Sequence, residues 1–248
     1  MQTPVTNQII RLEQVDSTNR QLLQLSAQAP LEEGAVLLAD FQTQGRGQGC
    51  NTWESDAGKN LTFSILFYPT FLRASEQFIL SKAVSLAVCD FISRYVDGVS
   101  VKWPNDVYVD EQKITGILLE NFVEGQYLKK TIAGIGVNIN QEHFSGNAPN
   151  PVSLFQLTGK RFNLEKCLTE ALQAINARYQ QIVEGNTAAL HDDYLRHLYC
   201  FGEWKPFTAD GKPFEARITG VNPVGMLEMI TRDHQLRTFG FKEVEFVK

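Results

Sequence analysis

Apolar positions along the chain alternate between two rhythms, one of strands and one of helices. Residues 9–15 (IIRLEQV) carry strand character, and Ser17 then stands as an N-cap before a helix whose apolar side is Leu22, Leu23 and Leu25. Strand-like runs follow at 35–41 (AVLLADF) and 60–68 (NLTFSILFY). Between them Thr43 to Gly58 is glycine-rich and aperiodic, longer than an ordinary connection. Residues 75–96 predict a helix, with Phe78, Ile79, Ala83, Leu86, Ala87, Phe91 and Ile92 on or near one face. Strands are expected at 99–103, 106–110, 114–122 and about 128–139, then a loop over 141–152. A second helix spans about 163–184, where Leu164, Cys167, Leu168, Ala171, Leu172, Ile175, Tyr179 and Ile182 repeat every three or four residues. Residues 187–198 form a short helix. From about Cys200 the rhythm changes to short β runs separated by DGK, NPVG and RDHQ, which are hairpin signals. The pattern divides the chain into a larger α/β domain, 1–199, and a small β-barrel-like domain, 200–248.

The 248 residues are 43% hydrophobic and 21% charged, an ordinary globular composition. A net charge of -5 argues against binding that depends on a phosphate backbone. The N-terminal MQTPVTNQIIRLEQ is no secretory signal, and no run approaches the ~18 apolar residues of a membrane span. Cys50, Cys89, Cys167 and Cys200 form no C-x-x-C pair, so free thiols in a reducing cytoplasm are expected, not disulfides or zinc.

Five segments carry candidate chemistry. In Gln42-Thr43-Gln44-Gly45-Arg46-Gly47-Gln48-Gly49, glycines allow backbone N–H groups to approach an anion, and Arg46 adds a planar donor fork. On composition alone this is equally an anion-holding loop or a flexible connection, and it is not a Walker loop. Lys102-Trp103-Pro104-Asn105-Asp106 reads locally as a turn between strands, with the alternative that Asn105 and Asp106 stand at the mouth of a sheet and Trp103 forms a wall. In Lys113-Ile114-Thr115-Gly116-Ile117-Leu118-Leu119-Glu120 a lysine opens a strand and Gly116 marks either a bulge or the close approach of a ligand. Gly134-Ile135-Gly136-Val137-Asn138 lacks the following helix of a dinucleotide fingerprint. Asp16-Ser17-Thr18-Asn19 is a helix start that can also face a polar ligand.

In this order the segments resemble one family, the biotin–protein ligases. The resemblance rests on Ser17-Thr18-Asn19, Gln42 with Gly45-Arg46-Gly47, Trp53, KWPND at 102–106, Lys113 with Gly116-Ile117-Leu118, and GIGVN at 134–138, covering residues 9–140. It implies a mixed sheet flanked by helices, of the class II aminoacyl-tRNA synthetase and biotin ligase type, with a C-terminal SH3-like β-barrel domain. It implies ATP-dependent conversion of biotin to biotinyl-5'-AMP and transfer of biotin to a lysine of a biotin carboxyl carrier protein. Ser17, Thr18, Asn19, Gln42, Gly45, Arg46, Gly47, Gln48, Lys113 and Gly116 are then expected at biotin. Arg46, Trp53, Asn105, Lys113 and Asn138 are expected at ATP or the adenylate, and Lys113, Arg46 and Asp106 as the catalytic groups. Mg²⁺ is expected mainly on the phosphates.

Two departures stand out. The family's loop commonly reads G-R-G-R-x-G-R, whereas here it reads G-R-G-Q-G-C-N, leaving Arg46 as its one arginine. Many members also carry an N-terminal winged-helix domain. Here the first strand starts about ten residues from Met1, so a cytoplasmic ligase without DNA binding is expected. The resemblance leaves room for a homodimer. The alternatives are a lipoate or octanoate ligase, whose acyl pocket needs no partners for a polar ring, and a non-catalytic biotin or adenylate sensor.

Overall fold

A computed structural model describes residues 8–49, 51–145 and 150–247. Its first sheet has seven strands: β1 (Ile9–Val15), β2 (Val36–Gln42), β3 (Leu61–Phe67), β4 (Val99–Lys102), β5 (Asp106–Val109), β6 (Gln112–Glu124) and β7 (Tyr127–Val137). Their spatial order is β1-β2-β3-β7-β6-β5-β4. Only β1 and β2 run parallel, joined by the crossover helix α1 (Thr18–Gln28); every other pairing in this sheet is antiparallel.

Strand β3 explains where the core lies. All seven of its residues are buried, as a central strand covered on both faces requires. Side chains alternate between faces. Leu61, Phe63, Ile65 and Phe67 join the main apolar core with α2 (Phe78–Ile92) and α4 (Leu164–Val183). Leu66 faces the other way, into a smaller cluster with Leu22 of α1, Leu37 and Ile132. The two remaining positions on that second face are Thr62 and Ser64, paired in register with Gly136 and Gly134. On the next strand Gly116 and Leu118 lie opposite the same two glycines. One face of the sheet is thus filled with apolar side chains. The other, beside the start of α1, presents hydroxyls and bare backbone.

The second sheet is antiparallel, in the order β11-β10-β9-β8-β12. It comprises β8 (Trp204–Ala209), β9 (Lys212–Val221), β10 (Leu227–Thr231), β11 (Leu236–Phe239) and β12 (Glu245–Phe246). Asp210 and Gly211 between β8 and β9 both have positive φ, 50° and 71°, as a two-residue hairpin turn of the expected DGK sequence demands. No ladder joins β11 to β12 among the described residues, so the expected barrel is seen as an open five-stranded sheet. Its inner face, including Phe207, Ile218 and Met229, belongs to the same apolar core as α2. The β9–β10 turn is clamped at Gly225, whose carbonyl accepts from Trp103 Nε1 at 2.9 Å.

Two predicted boundaries shift. The helix expected at 75–96 starts as a 3-10 turn, Ala74–Glu76, and its α-helical part ends at Ile92. The stretch after 152 contains an unexpected short helix, α3 (Leu154–Thr158), held by a capping box between Ser153 and Gln156 and ended by Gly159 at φ 69°. The short helix α5 (Thr187–His197) is present. Cys89, Cys167 and Cys200 are free thiols, and Cys50 lies outside the described residues. No helix among the described residues is long and apolar enough to cross a membrane.

Among the described residues the core holds one buried amine. Lys82 of α2, 4% exposed, reaches His191 Nδ1 of α5 at 2.7 Å and donates to the Val221 carbonyl of β9 at 3.2 Å, tying both helices to the second sheet. Burial pulls its pKa down to about 8, against an upward pull from Glu228. Between pH 8 and the ~10.4 of an unfolded lysine, the unfolded chain holds a proton that native Lys82 has lost. Stability therefore rises with pH across that window, and the desolvation penalty is fully present below it. Urea titrations of Lys82→Met and the parent should show the variant's relative stability falling by on the order of 3 kcal/mol from pH 8 to pH 10.5. Parallel pH profiles would contradict this.

Candidate active site

The polar strip on the α1 face floors a cavity of about 250 Å³. Its far wall begins with Ser17, Thr18 and Gln42, where β1 passes into α1 and β2 ends. Ser17 occupies the N-cap position but makes no capping bond through its side chain. Gln42 Oε1 instead accepts from the Thr18 N–H at 2.7 Å and from its hydroxyl at 3.1 Å. Ser64 Oγ lies 2.7 Å from the Thr18 hydroxyl and donates to Asn19 Oδ1 at 2.6 Å. Asn19 Nδ2 donates to the Leu118 carbonyl at 3.2 Å and to Glu120 Oε2 at 2.8 Å. Asn19 is expected to contact biotin, yet both ends of its amide are engaged by protein. It borders the cavity as a brace of the wall.

The glycine-rich segment is not a loose connection. Arg46 bridges Thr52, Gly47 N–H donates to Asn51 O at 2.8 Å, and Trp53 N–H donates to Gly45 O at 3.0 Å. A Cβ on Gly45 would stand 2.2 Å from the Trp53 carbonyl, so glycine is what lets the two arms of this lid meet. The lid delivers Trp53 onto the glycine floor. A Cβ on Gly136 would lie 2.2 Å from the indole, and one on Gly116 3.0 Å from it. The two glycines are register partners on β6 and β7, so together they form a flat seat one indole wide.

Three cations line this cavity, Arg46, Lys102 and Lys113; Lys102 lies over the Tyr108 ring, and the other two are each paired with a carboxylate. Lys113 Nζ stands 2.7 Å from Asp106 Oδ1, with both side chains about one-fifth exposed (21% and 23%). Arg46 Nη1 donates to Glu120 Oε1 at 3.1 Å. Burial raises the Asp106 pKa above the ordinary carboxylate range, against lowering by Lys113 and Lys102. Gly47, Gln48 and Asn105 also border the cavity. Asn105 spends its amide on the Ile117 carbonyl at 2.5 Å, and Ile117 N–H donates back to the Asn105 carbonyl at 2.9 Å. Like Asn19 it is a brace, which is close to the plain turn that its local sequence suggests.

A second, larger cavity of about 810 Å³ adjoins the first. Gly45, Asn138, Phe144 and Pro151 line it, and Gln42, Asn51, Thr52, Trp53 and Lys113 border both. Gly45 therefore lies with Asn138, beside Gln42 and Lys113 but apart from the rest of the residues expected at biotin. Asn138 Nδ2 donates to the Val152 carbonyl at 3.1 Å. Its Oδ1 and the indole N–H of Trp53 are both buried without a partner among the described residues. Buried groups of this kind are normally satisfied.

Sequence reading missed Ser64, Glu120 and Phe241. Thr62 and Ser64 are the only hydroxyls in an otherwise apolar strand, and their two-residue spacing is the signal that places both on one face. Phe241, after β11, reaches the first cavity from the second sheet, and no local pattern announces it. Among the described residues no cluster of three or more His, Cys, Asp or Glu could hold a metal ion. Both carboxylates at the cations are engaged, so a magnesium ion would arrive on the phosphates of a nucleotide and not in a protein cage.

This fold and site, with paired cations under a glycine lid between two cavities, define a ligase. The chain belongs to the biotin/lipoate A/B protein ligase family, whose sequence model matches residues 12–138. It is 28% identical over 242 residues to the bifunctional ligase/repressor BirA of Bacillus spizizenii, covering 94% of this chain and 73% of that protein. It is 33% identical over 151 residues to the human biotin–protein ligase, 58% of this chain and 20% of that one. The biotin protein ligase from Aquifex aeolicus, solved in complex with biotin and ATP, superposes with a TM-score of 0.80 at 24% identity, covering 98% of this chain and 100% of that one.

The glycine seat can be tested directly. Gly136→Ala places a methyl inside the indole ring position, so Trp53 must leave. The expected result is a red-shifted tryptophan emission and a loss of roughly 1–3 kcal/mol of stability. An unchanged emission spectrum and unfolding midpoint would show that Trp53 does not sit there.

Proposed function

We propose that the protein activates biotin with ATP to biotinyl-5'-AMP and transfers biotin to a lysine of a biotin carboxyl carrier protein. The observation that carries this reading is that one ammonium, Lys113, borders two adjoining cavities. The smaller cavity suits a polar-headed acid. Thr18 and the Gln42 oxygen are paired with each other, but the Ser17 hydroxyl and the Gln42 amide nitrogen are left as partners for a ureido ring, and a lipoyl chain would offer them none. The larger suits a nucleoside. The Asn138 carbonyl oxygen lacks a donor such as an adenine amine, and the Trp53 N–H lacks an acceptor such as a ribose or phosphate oxygen. The name of the human relative, a biotin–protein ligase, supports the same substrate, and that of the Bacillus relative, a ligase/repressor, supports the same class of reaction. The division of labour we propose is a catalytic domain over 1–199 and a C-terminal SH3-like domain over 200–248.

The chemistry starts with two anions that repel. Biotin's carboxylate can attack the α-phosphorus only if charge on both is neutralised. Lys113 stands between them and moves from Asp106 to the incoming oxygens. Arg46 adds its remaining N–H donors from above. A bond forms between the carboxylate oxygen and phosphorus, and pyrophosphate leaves with the broken P–O bond. Magnesium supplies further charge neutralisation as part of the nucleotide. The lid keeps water from the mixed anhydride. In the second step a carrier lysine attacks the acyl carbon, AMP departs, and the amine gives up a proton. Asp106, released from Lys113 and already raised in pKa, is the base placed to accept it.

Incubation with ATP, Mg²⁺, biotin and a carrier domain should add one biotin to that domain by mass spectrometry. Lipoate should support neither pyrophosphate exchange nor transfer; exchange with lipoate and not biotin would overturn the reading. Lys113→Ala should lower biotin-dependent exchange by on the order of 10²–10³-fold. The active form of Asp106 is its carboxylate, so transfer should fall on acidification at a higher pH than the ~3.9 of an ordinary aspartate. Asp106→Asn should abolish that acid limb. An unshifted limb in the parent would remove Asp106 from the base role.

A further inference from the structure

We propose that Glu120 is a positioning residue of the lid: it holds Arg46 over the smaller cavity and ties it to the wall that receives the ring of the acid. The proposal deepens the ligase reading and takes its lid chemistry from it. Glu120 stands on β6, two positions beyond Leu118, and its two oxygens are divided between two elements. Oε1 accepts from Arg46 of the lid at 3.1 Å, and Oε2 accepts from Asn19 at the start of α1 at 2.8 Å.

The Asn19 end is fixed. That residue is 3% exposed, bonded to Leu118 O and Ser64, and packed so closely that a Cβ on Gly134 would be 2.3 Å from its Oδ1. The Arg46 end has more freedom, since its side chain is 45% exposed and the described backbone bonds of residues 45–53 run between the segment's own two arms, the ties to the rest of the fold standing at Thr43, Gln44 and Asp56 on either side. A rigid group holding a carboxylate against a mobile guanidinium sets where the guanidinium stays. Only one nitrogen of the fork faces Glu120, and the other donors are left for a carboxylate or phosphate.

The contact also joins lid and ring wall in one chain: Arg46 to Glu120, Glu120 to Asn19, Asn19 to Ser64, Ser64 to Thr18, and Thr18 to Gln42. Arg46 is the sole cation between Gln42 and Gly58, so this pair is the one salt bridge by which that segment, also seated through Trp53, meets the wall among the described residues.

Glu120→Gln is the test, because a glutamine oxygen can still accept from Asn19 while the ionic attraction to Arg46 is removed. Two readouts are needed. In the unliganded protein, trypsin should cut after Arg46 roughly fivefold faster in the variant, the loss expected for one part-exposed ion pair, with the unfolding midpoint lowered by no more than about 2–4 °C. In turnover, the ratio of biotinyl-5'-AMP released to biotin transferred should rise by a similar factor. In an Arg46→Ala background Glu120→Gln should change that ratio no further, because Glu120 acts through the arginine. Equal cleavage at Arg46 in parent and variant overturns the proposal, whether or not the protein ligates biotin. A full additional effect of Glu120→Gln on top of Arg46→Ala also overturns it. Failure of the parent to form any adenylate from biotin would strike the ligase reading instead, and the protease result would still decide whether Glu120 anchors the lid.

Discussion

A lysine ammonium and an aspartate carboxylate 2.7 Å apart, at the partition between two cavities, are the contact on which the rest of this molecule's chemistry depends. Each half of the pair makes the other useful. Without Asp106, Lys113 would be an uncompensated charge in a part-buried site, at considerable cost. With it, the ammonium is stored where two anions must meet, and it can be exchanged for them. The exchange leaves behind a carboxylate whose pKa burial has already raised, at the step when a base is required. In the reaction we propose, adenylate formation and amine attack use this one ion pair in succession.

The sheet exists to hold that pair and to clear space in front of it. The two-residue alternation of β3, β6 and β7 sends Phe63, Ile65, Ile117 and Ile135 to the α2 and α4 face and leaves the hydroxyls of Thr62 and Ser64 beside Gly116, Gly134 and Gly136 on the other. The same alternation places Glu120 on the open face. Trp53, seated on Gly116 and Gly136, divides the space into two chambers and has its indole N–H turned toward neither a backbone nor a side-chain acceptor among the described residues. The second sheet is not an appendage. Its β9–β10 turn is pinned by Trp103 of the KWPND segment, its Phe241 borders the smaller cavity, and Lys82 spans from α2 and α5 to its longest strand.

Much of this was legible in the chain. Strands and helices followed from periodicity because their apolar faces are regular, and the order of short motifs identified the family. Lys113, Asp106, Arg46 and Gln42 were named from those motifs and share one cavity. What the sequence could not show is which polar groups are already spent. Asn19 has both ends of its amide taken by Leu118, Glu120 and Ser64, distant in sequence, and Asn105 has its amide nitrogen taken by the Ile117 carbonyl. The lid looked as much like a slack connection as a binding element, because its order comes from backbone bonds and a missing Cβ at Gly45 and not from side-chain pattern. Helix α3 had a readable S-x-x-Q capping signal but too few residues for periodicity to reveal it. Phe241 depends on how the second sheet docks, which no local window contains.

The exchange of partners by Lys113 can be measured as proton uptake. Calorimetric titration with a non-hydrolysable biotinyl-adenylate analogue, repeated in buffers of different ionisation enthalpy, reads the protons bound with the ligand. If the analogue draws Lys113 away from Asp106, the carboxylate loses an ammonium that lowers its pKa, and it takes up protons with the ligand as the pH falls toward that pKa. The apparent enthalpy then depends on the buffer in the parent and not in Asp106→Asn. Tight binding with a buffer-independent enthalpy in both proteins would mean that the pair never parts, and the account of the reaction built on it would be wrong.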